Sequence, residues 1–275
     1  PGAVGRAQWE GNDGPEGAGA GTRRATPSAP MYTIAGRIQS GNAPAGPALD
    51  APPQAAIIAA GSPANAVPKE SDSMADRLRL GVLISGGGRS LQNFIDLSET
   101  GRLRAQVVKV VSSRPDAGGL ARARRCGIPA CVVRRRDFAT AQAFADAVTA
   151  ELRAEDVHLV ALAGFLSLYR IPACYAGRVM NVHPALLPSF GGRGFYGDRV
   201  HRAVLECGCK VSGCSVHFAD NEYDQGPIIV QRAVPVLEDD DEHTLAARVF
   251  EQEKAAYPEA VNLFAEGRLR IEGRR

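Results

Sequence analysis

The feature that most constrains the fold is a regular alternation of short apolar runs and helical patterns that begins at Leu78. Helical periodicity separates the runs, which are too short for helices and rich in branched residues. Parallel strands have this composition, because helices cover both faces of their sheet. The pattern predicts an α/β fold with a single doubly wound, Rossmann-like, mostly parallel sheet. The five predicted strands cover residues 78–84, 106–112, 130–134, 157–163 and 178–182.

The pattern changes after His183. Residues 211–218 and 228–234 are each predicted to form a strand, and the turn-rich loop between them favours an antiparallel pair at the C-terminal end of the sheet. Pro235 closes the second strand, because proline cannot donate a hydrogen bond to a ladder. A long amphipathic helix is predicted over 244–264, bent or interrupted near Pro258, and a last short strand over 268–271.

Residues 1–73 differ in composition from the rest of the chain. Ala, Gly and Pro account for 38 of them. Such a segment cannot bury enough apolar surface to offset its chain entropy, so we predict a disordered extension. It lacks the basic start and apolar stretch of a secretory signal. A transit peptide is the alternative, but Glu10, Asp13 and Glu16 come early and serines are scarce, which argues against it. Met74, directly before the first strand, is a candidate start, and Met31 is another. The sequence therefore predicts two regions, the extension at 1–73 and one folded domain at 74–275.

Charge and composition exclude several classes of partner. The chain carries 32 Lys and Arg against 30 Asp and Glu, a net charge of +2, so we expect no nucleic-acid partner. It has no run of 18 apolar residues, so we expect no membrane partner. The six cysteines lie on predicted regular elements, which favours reduced thiols in a cytoplasmic protein. Because paired Cys-x-x-Cys spacing is absent, we predict no metal site.

A glycine-rich segment at residues 85–90 connects the first predicted strand to the first helix. Its three consecutive glycines let successive backbone N–H groups point at one anion, and the helix N-terminus adds partial positive charge. No Gly-Lys-Ser/Thr follows, so it is not a P-loop, and Leu91 stands where a dinucleotide fingerprint needs its third glycine. The segment indicates a phosphate site, and a tight turn without a ligand is the alternative.

Asn181 and His183 lie two residues apart at the end of a predicted strand. Strand periodicity puts both side chains on one face, at the sheet edge where α/β proteins bind ligands. A histidine beside an amide donor can stabilise an oxyanion and carry protons. A structural histidine is the alternative interpretation.

Three carboxylates, Asp220, Glu222 and Asp224, crowd the loop between the two C-terminal strands. One of them near a histidine would raise the pKa of its ring and fix its orientation. A solvated acidic turn is equally consistent with these residues, and composition alone does not choose among the three.

Several motifs together resemble phosphoribosylglycinamide formyltransferases, the folate-dependent enzymes of purine synthesis. The resemblance covers about residues 78–272, in order and with family-like spacing. It rests on Ile-Ser-Gly-Gly-Gly at 84–88, Leu-Ala-Gly-Phe at 162–165, Asn-Val-His-Pro-Ala-Leu-Leu-Pro at 181–188, Ser-Val-His-Phe and Tyr-Asp-Gln-Gly-Pro within 215–227, and Glu-Gln-Glu at 251–253.

The resemblance implies a role for each matching residue. Asn181 hydrogen-bonds the formyl oxygen beside the folate, His183 acts as general acid, and Asp224 holds His183 and raises its pKa. The implied co-substrate is 10-formyltetrahydrofolate, the implied acceptor is phosphoribosylglycinamide, no metal is needed, and the enzyme is a monomer or homodimer. Further residues are implied to hold the substrate phosphate (Gly88, Arg89, Ser90), the glycinamide substrate (Glu253) and the folate (Leu166, Ser167, Leu168, Tyr169).

This sequence departs from the commoner bacterial pattern at four places. Arg89-Ser90 replaces Ser-Asn in the phosphate loop. Ser167 stands where a folate-contacting arginine is frequent, as does Ala141, so neither arginine contact carries over. The glycine-rich loop at 190–198 is longer than usual, and its composition suggests a mobile lid.

Three other functions remain as alternatives. A formyltetrahydrofolate deformylase would use the same triad with water as acceptor, but it has no use for a phosphate loop. A methionyl-tRNA formyltransferase needs a second domain and a basic surface. A non-enzymatic phosphate-ligand sensor needs only the loop and leaves Asn181, His183 and Asp224 without a purpose.

Overall fold

The computed structural model describes residues 77–274 of the chain. The predicted disordered extension at 1–73 and the candidate start at Met74 lie outside the described residues. Within the described part, no helix combines the length and the apolar character needed to cross a membrane.

Residues 77–274 contain seven strands and five α-helices. The strands are β1 (Leu78–Ile84), β2 (Ala105–Ser112), β3 (Ala130–Val132), β4 (Leu159–Leu162), β5 (Val179–His183), β6 (Val211–Phe218) and β7 (Ile228–Pro235). The helices are α1 (Arg89–Glu99), α2 (Gly118–Arg125), α3 (Ala141–Ala154), α4 (Asp198–Glu206) and α5 (Glu242–Ala265). Pro235 is the last residue of β7, as predicted.

The strands form one sheet in the order β3-β2-β1-β4-β5-β6-β7. Strands β1 to β5 pair in parallel, whereas β6 runs antiparallel to β5 and β7 antiparallel to β6. This arrangement confirms the predicted fold class. The chain leaves β1 on one side toward β2 and returns on the other side through β4, and a ligand crevice is expected at such a reversal, outside the carboxyl ends of the strands.

Two apolar clusters cover the two faces of the sheet. Along β1, Leu80, Val82 and Ile84 point to the face covered by α1, α2, α4 and α5. Leu83 points to the opposite face, which α3 covers through Phe144 and neighbouring side chains. Burial on both faces explains why β1, β2 and β4 are rich in apolar residues and lack strict alternation.

The C-terminal part departs from the sequence predictions at two points. Residues 268–271 form no strand in the described part of the chain. Helix α5 continues through Pro258 without interruption. Pro258 has no N–H for the carbonyl of Lys254 one turn earlier, and the side-chain amide of Asn93 on α1 donates to that carbonyl instead, at 2.9 Å. The substitute partner keeps the helix intact.

Candidate active site

A cavity of about 630 Å³ opens at the carboxyl ends of β1, β4 and β5. Its wall includes the glycine loop after β1, the ends of β4 and β5, the 190–198 loop and one face of α5. Asn181, His183 and Asp224 line it together with Arg89 and Glu253. The sheet reversal thus brings predicted residues from distant parts of the chain to one cleft.

His183 is held at both ring nitrogens. Its Nε2 lies 2.8 Å from the carbonyl oxygen of Phe190, and its Nδ1 lies 3.5 Å from Oδ2 of Asp224. Both neighbours are acceptors, so the doubly protonated imidazolium is the form that satisfies both. Burial opposes that charge and holds the pKa of His183 below its usual value, while Asp224 and the Phe190 carbonyl raise it. The predicted influence of Asp224 is therefore present, but burial outweighs it.

Asp224 is the carboxylate that the fold brings to the histidine. It lies in the loop between β6 and β7 with a left-handed backbone (φ 57°), and the Gly192 N–H donates to its Oδ2 at 2.9 Å. Burial disfavours its charge, but His217, His183 and the Gly192 amide together keep its pKa below the usual value. Asp220 and Glu222 are exposed. Asp224 is thus ionised and aimed into the site.

Asn181 is oriented by two acceptors. Its Nδ2 lies 3.2 Å from Nε2 of His217 and donates to Oδ1 of Asp224 at 3.3 Å. Nδ1 of His217 donates its proton to the Phe218 carbonyl at 2.9 Å. Its Nε2 therefore accepts from Asn181 when unprotonated, and donates toward Oδ1 of Asp224, 3.6 Å away, when protonated. Both contacts of the amide are long for hydrogen bonds, so either proton can shift to a stronger acceptor, such as a developing oxyanion.

The glycine loop is built as an anion cradle. Among the described residues, the backbone N–H groups of Gly86, Gly87 and Gly88 have no hydrogen-bond acceptor, and Gly88, directly before α1, provides no side-chain cap. Gly88 has φ 71°, and a Cβ there would lie 2.7 Å from Cα of Gly119, so a side chain is excluded. Arg122 donates to the Gly87 carbonyl at 2.8 Å, which gives that loop carbonyl a partner of its own.

Arg89 and Glu253 face each other at the α5 side of the cavity. The Arg89 guanidinium stacks on the Phe250 ring, with 3.9 Å between Cζ and the ring centroid. Burial raises the pKa of Glu253 to about 7, against the lowering influence of Arg89. Ser90, in the first turn of α1, lines the same wall. The cavity therefore has one end rich in hydrogen-bond donors and a carboxyl group that titrates near neutral pH.

The residues predicted for folate divide into two sets. Leu166 is exposed and lines the cavity. Tyr169 is buried in the core beneath α3, where its hydroxyl lies 2.8 Å from that of Thr149. Ser167 and Leu168 connect the two outside the cavity wall. Ala141, at the start of α3, also lies outside that wall.

The 190–198 loop forms part of the site itself. Besides the Phe190 carbonyl and the Gly192 amide, it contributes Arg193, Phe195 and Tyr196 to the cavity wall. The rings of Phe190 and Phe195 meet edge to face, with centroids 6.4 Å apart. The loop thus touches both His183 and Asp224, which a distant lid would not do.

Three side chains of the site were not assigned a role from the sequence. His217 faces Asn181 because β5 and β6 pair in that register; the antiparallel prediction carried this signal, but the register was not worked out. Phe250 precedes Glu253 by one helical turn and so shares its face of α5. His201, on α4, lines the cavity and gave no signal beyond being a histidine.

Known proteins are similar to this chain in sequence and in fold. The sequence profile of a family described as "Formyl transferase" matches residues 78–261, a stretch that includes the glycine loop and the three polar residues of the triad. The phosphoribosylglycinamide formyltransferase of Escherichia coli (strain K12) is 40% identical over 193 residues, which cover 69% of this chain and 88% of that protein.

Two further similarities extend the comparison. The trifunctional purine biosynthetic protein adenosine-3 of Drosophila melanogaster is 42% identical over 195 residues, or 70% of this chain, but the matched part spans only 14% of that protein. The crystal structure of glycinamide ribonucleotide transformylase 1 from Symbiobacterium toebii matches with a TM-score of 0.69 and 46% identity, covering 73% of this chain and 93% of that one.

Proposed function

Because the chain belongs to the formyl transferase family, we propose that it transfers the formyl group of 10-formyltetrahydrofolate to the amine of 5-phosphoribosylglycinamide in purine biosynthesis. One observation carries this proposal. Asn181, His183 and Asp224 share a single cavity with a loop whose N–H groups are free to bind a phosphate. The two halves suit a reaction in which one substrate is phosphorylated and the other carries a formyl group.

The chemistry begins when the substrate amine attacks the formyl carbon. The carbonyl oxygen becomes an oxyanion, and a proton donated by His183 and an N–H of Asn181 stabilise it near the transition state. The proton lost by the amine passes to folate N10, with His183 or a water molecule as carrier, and the C–N10 bond then breaks. Holding both substrates in line supplies much of the acceleration.

Asp224 supports this step through charge and position. Its carboxylate favours the imidazolium form of His183 against the effect of burial, and its contact with Asn181 aligns the amide. The Phe190 carbonyl competes with the substrate for the Nε2 proton of His183. We therefore assign the 190–198 loop the role of a lid whose displacement releases that proton to the oxyanion.

The two substrates occupy opposite ends of the cavity. The phosphate lies against Gly88, Arg89 and Ser90, where the first turn of α1 and the guanidinium add positive charge. Glu253 contacts the glycinamide part. The folate lies along the segment from Leu166 to Tyr169, in which Leu166 touches the ligand and the buried Tyr169 fixes the segment to the core.

One assay separates this function from its alternatives. The protein is mixed with 10-formyltetrahydrofolate, with and without phosphoribosylglycinamide, and loss of the formyl group from the folate is followed. A transferase consumes folate only with the acceptor and yields the formylated amine. Consumption of the folate without the acceptor would identify a deformylase. In parallel mixtures, transfer of the formyl group to methionyl-tRNA would identify the corresponding tRNA enzyme, and binding of phosphate without turnover would identify a sensor.

The domain assignment is part of the same proposal. Residues 74–275 form the catalytic domain, acting as a monomer or homodimer in the cytoplasm, and residues 1–73 are dispensable. A chain that starts at Met74 should therefore keep the turnover and melting temperature of the full chain. A large loss of either would show that the first 73 residues support the domain.

A further inference from the structure

His201 is a buried histidine of the cavity that the mechanism above does not use. It lies in the first half of α4 and is 4% exposed. It lines the same cavity as Arg89 and His183, and both of these residues are among its charged neighbours. His201 therefore lies near the wall between the phosphate loop and the reacting centre.

The ring of His201 lacks the partners that a structural histidine has. Its Nδ1 is buried without a hydrogen-bond partner among residues 77–274. Buried polar groups are nearly always paired, because an unpaired one loses its hydrogen bond to water without replacement. Ser212 Oγ and Arg232 Nε are also buried and unpaired in the described part of the chain, but neither residue lines the cavity.

The protonation state of His201 follows from its surroundings. Burial lowers its pKa, Asp198 opposes this effect, and the positive charges of His183 and Arg89 add to it. The ring is therefore neutral and carries one proton. A buried N–H without an acceptor is rarer than a buried lone pair without a donor, so Nδ1 keeps the lone pair and Nε2 carries the hydrogen. The ring offers the cavity a neutral N–H donor.

We propose that His201 is a further substrate-positioning residue, whose Nε2–H donates to an oxygen of the phosphorylated sugar between the phosphate loop and His183. This inference rests on the proposed function, because it assumes a substrate that extends from the glycine loop to the triad. A neutral donor suits this place. It holds an acceptor oxygen without adding a second full charge beside Arg89.

A matched pair of variants tests the role. His201→Gln keeps an N–H near the position of Nε2, whereas His201→Met has similar length and no donor. We expect the Met variant to raise KM for phosphoribosylglycinamide about 10-fold, the effect of losing about 1.4 kcal/mol from one hydrogen bond. KM for the folate should stay within about twofold of wild type, and the Gln variant should recover most of the loss.

Two outcomes would overturn the proposal. One is an unchanged acceptor KM in the Met variant. The other is an equal loss in both variants, with the two KM values and kcat affected alike, which would indicate a structural histidine.

A binding experiment keeps the inference separate from the proposed reaction. Ribose 5-phosphate is titrated into the wild-type protein, and the imidazole resonances are followed by NMR, with the His201 signal assigned by its absence in the Gln variant. A saturable shift of that signal supports the role even if phosphoribosylglycinamide is not turned over. If the sugar phosphate binds and the His201 signal does not move, the inference is wrong while the phosphate site stands.

Discussion

Replacing Asp224 by Asn tests the proposed acid catalyst directly, because the change keeps the size of the side chain and removes its charge. The carboxylate is 3.5 Å from Nδ1 of His183, and it is the strongest influence that raises the pKa of that ring. Without it, burial acts unopposed by any nearby negative charge. We expect the imidazolium fraction at neutral pH to fall, and turnover with it.

The size of the effect follows from the separation and from the dielectric constant. Two unit charges about 4 Å apart attract by about 4 kcal/mol at an effective dielectric constant of about 20. Since about 1.4 kcal/mol corresponds to a tenfold change in rate, losing the whole interaction slows turnover by about 10³-fold. Removal of positioned acid–base catalysis commonly costs about 10²–10⁴-fold, so the two figures agree.

The assay is turnover measured against pH, with the free energy of unfolding measured at each pH. The activity that remains in Asp224→Asn should shift toward lower pH, where His183 still binds a proton. The free energy of unfolding has the opposite dependence on pH. A buried histidine with a lowered pKa leaves the folded state with fewer protons than the unfolded one, so stability is full above about pH 6.5 and falls as the pH decreases below that value.

Asp220→Asn and Glu222→Gln are the matched controls. Both residues lie in the same loop, and both are exposed. They should turn over at close to the wild-type rate across the pH range. Near-normal activity of Asp224→Asn, or an equal loss in a control, would refute the reasoning and leave the loop as a solvated acidic turn.

Three further predictions follow from the geometry. Gly87→Val should raise KM for the phosphorylated substrate about 10-fold or more, because the added side chain hinders the hydrogen bonds between the loop and the charged phosphate. The folate KM and the fold should be preserved, because a Cβ at Gly87 meets no atom within 4 Å. Asn181→Ala should lower kcat about 10²–10³-fold, the usual effect of losing an oxyanion donor, with an unchanged melting curve. Asn93→Ala should cost about 1 kcal/mol in urea unfolding, and this cost should disappear in a Pro258→Ala background, where residue 258 can donate to the Lys254 carbonyl.

The core of the fold could be predicted because strands that are buried on both faces are rich in apolar residues. β1 and β2 are rich in apolar residues, and the structure has them within one residue of the predicted bounds. The ends of the strands were harder to predict from the sequence. Arg134, predicted in a strand, instead precedes a short 3-10 helix (Arg135–Asp137) and pairs with Asp137 at 2.6 Å. The continuous α5 could not be predicted either, because the donor that replaces the missing N–H of Pro258 belongs to Asn93, which precedes the accepting Lys254 by 161 residues.

The site was predictable only in part for a similar reason. Strand periodicity put Asn181 and His183 on one face, and both line the cavity. The choice of Asp224 over its neighbours needed the family resemblance. A loop has no regular periodicity that would show which of its side chains are buried and which are exposed. Two other features depend on tertiary contacts, which no local pattern encodes. One is the strand register that pairs Asn181 with His217, and the other is the contact of the Phe190 carbonyl with His183.

Helix α5 has a consequence for the order in which the chain acquires its structure during synthesis. Its side chains complete the apolar cluster on the face of the sheet that α1 and α2 also cover, and Phe250 and Glu253 complete the cavity wall. All seven strands leave the ribosome before this helix does. A nascent chain without α5 therefore exposes a broad apolar face, which is the kind of surface that chaperones bind. The same helix covers this face and completes the cavity wall, so both changes accompany the packing of α5 onto the sheet.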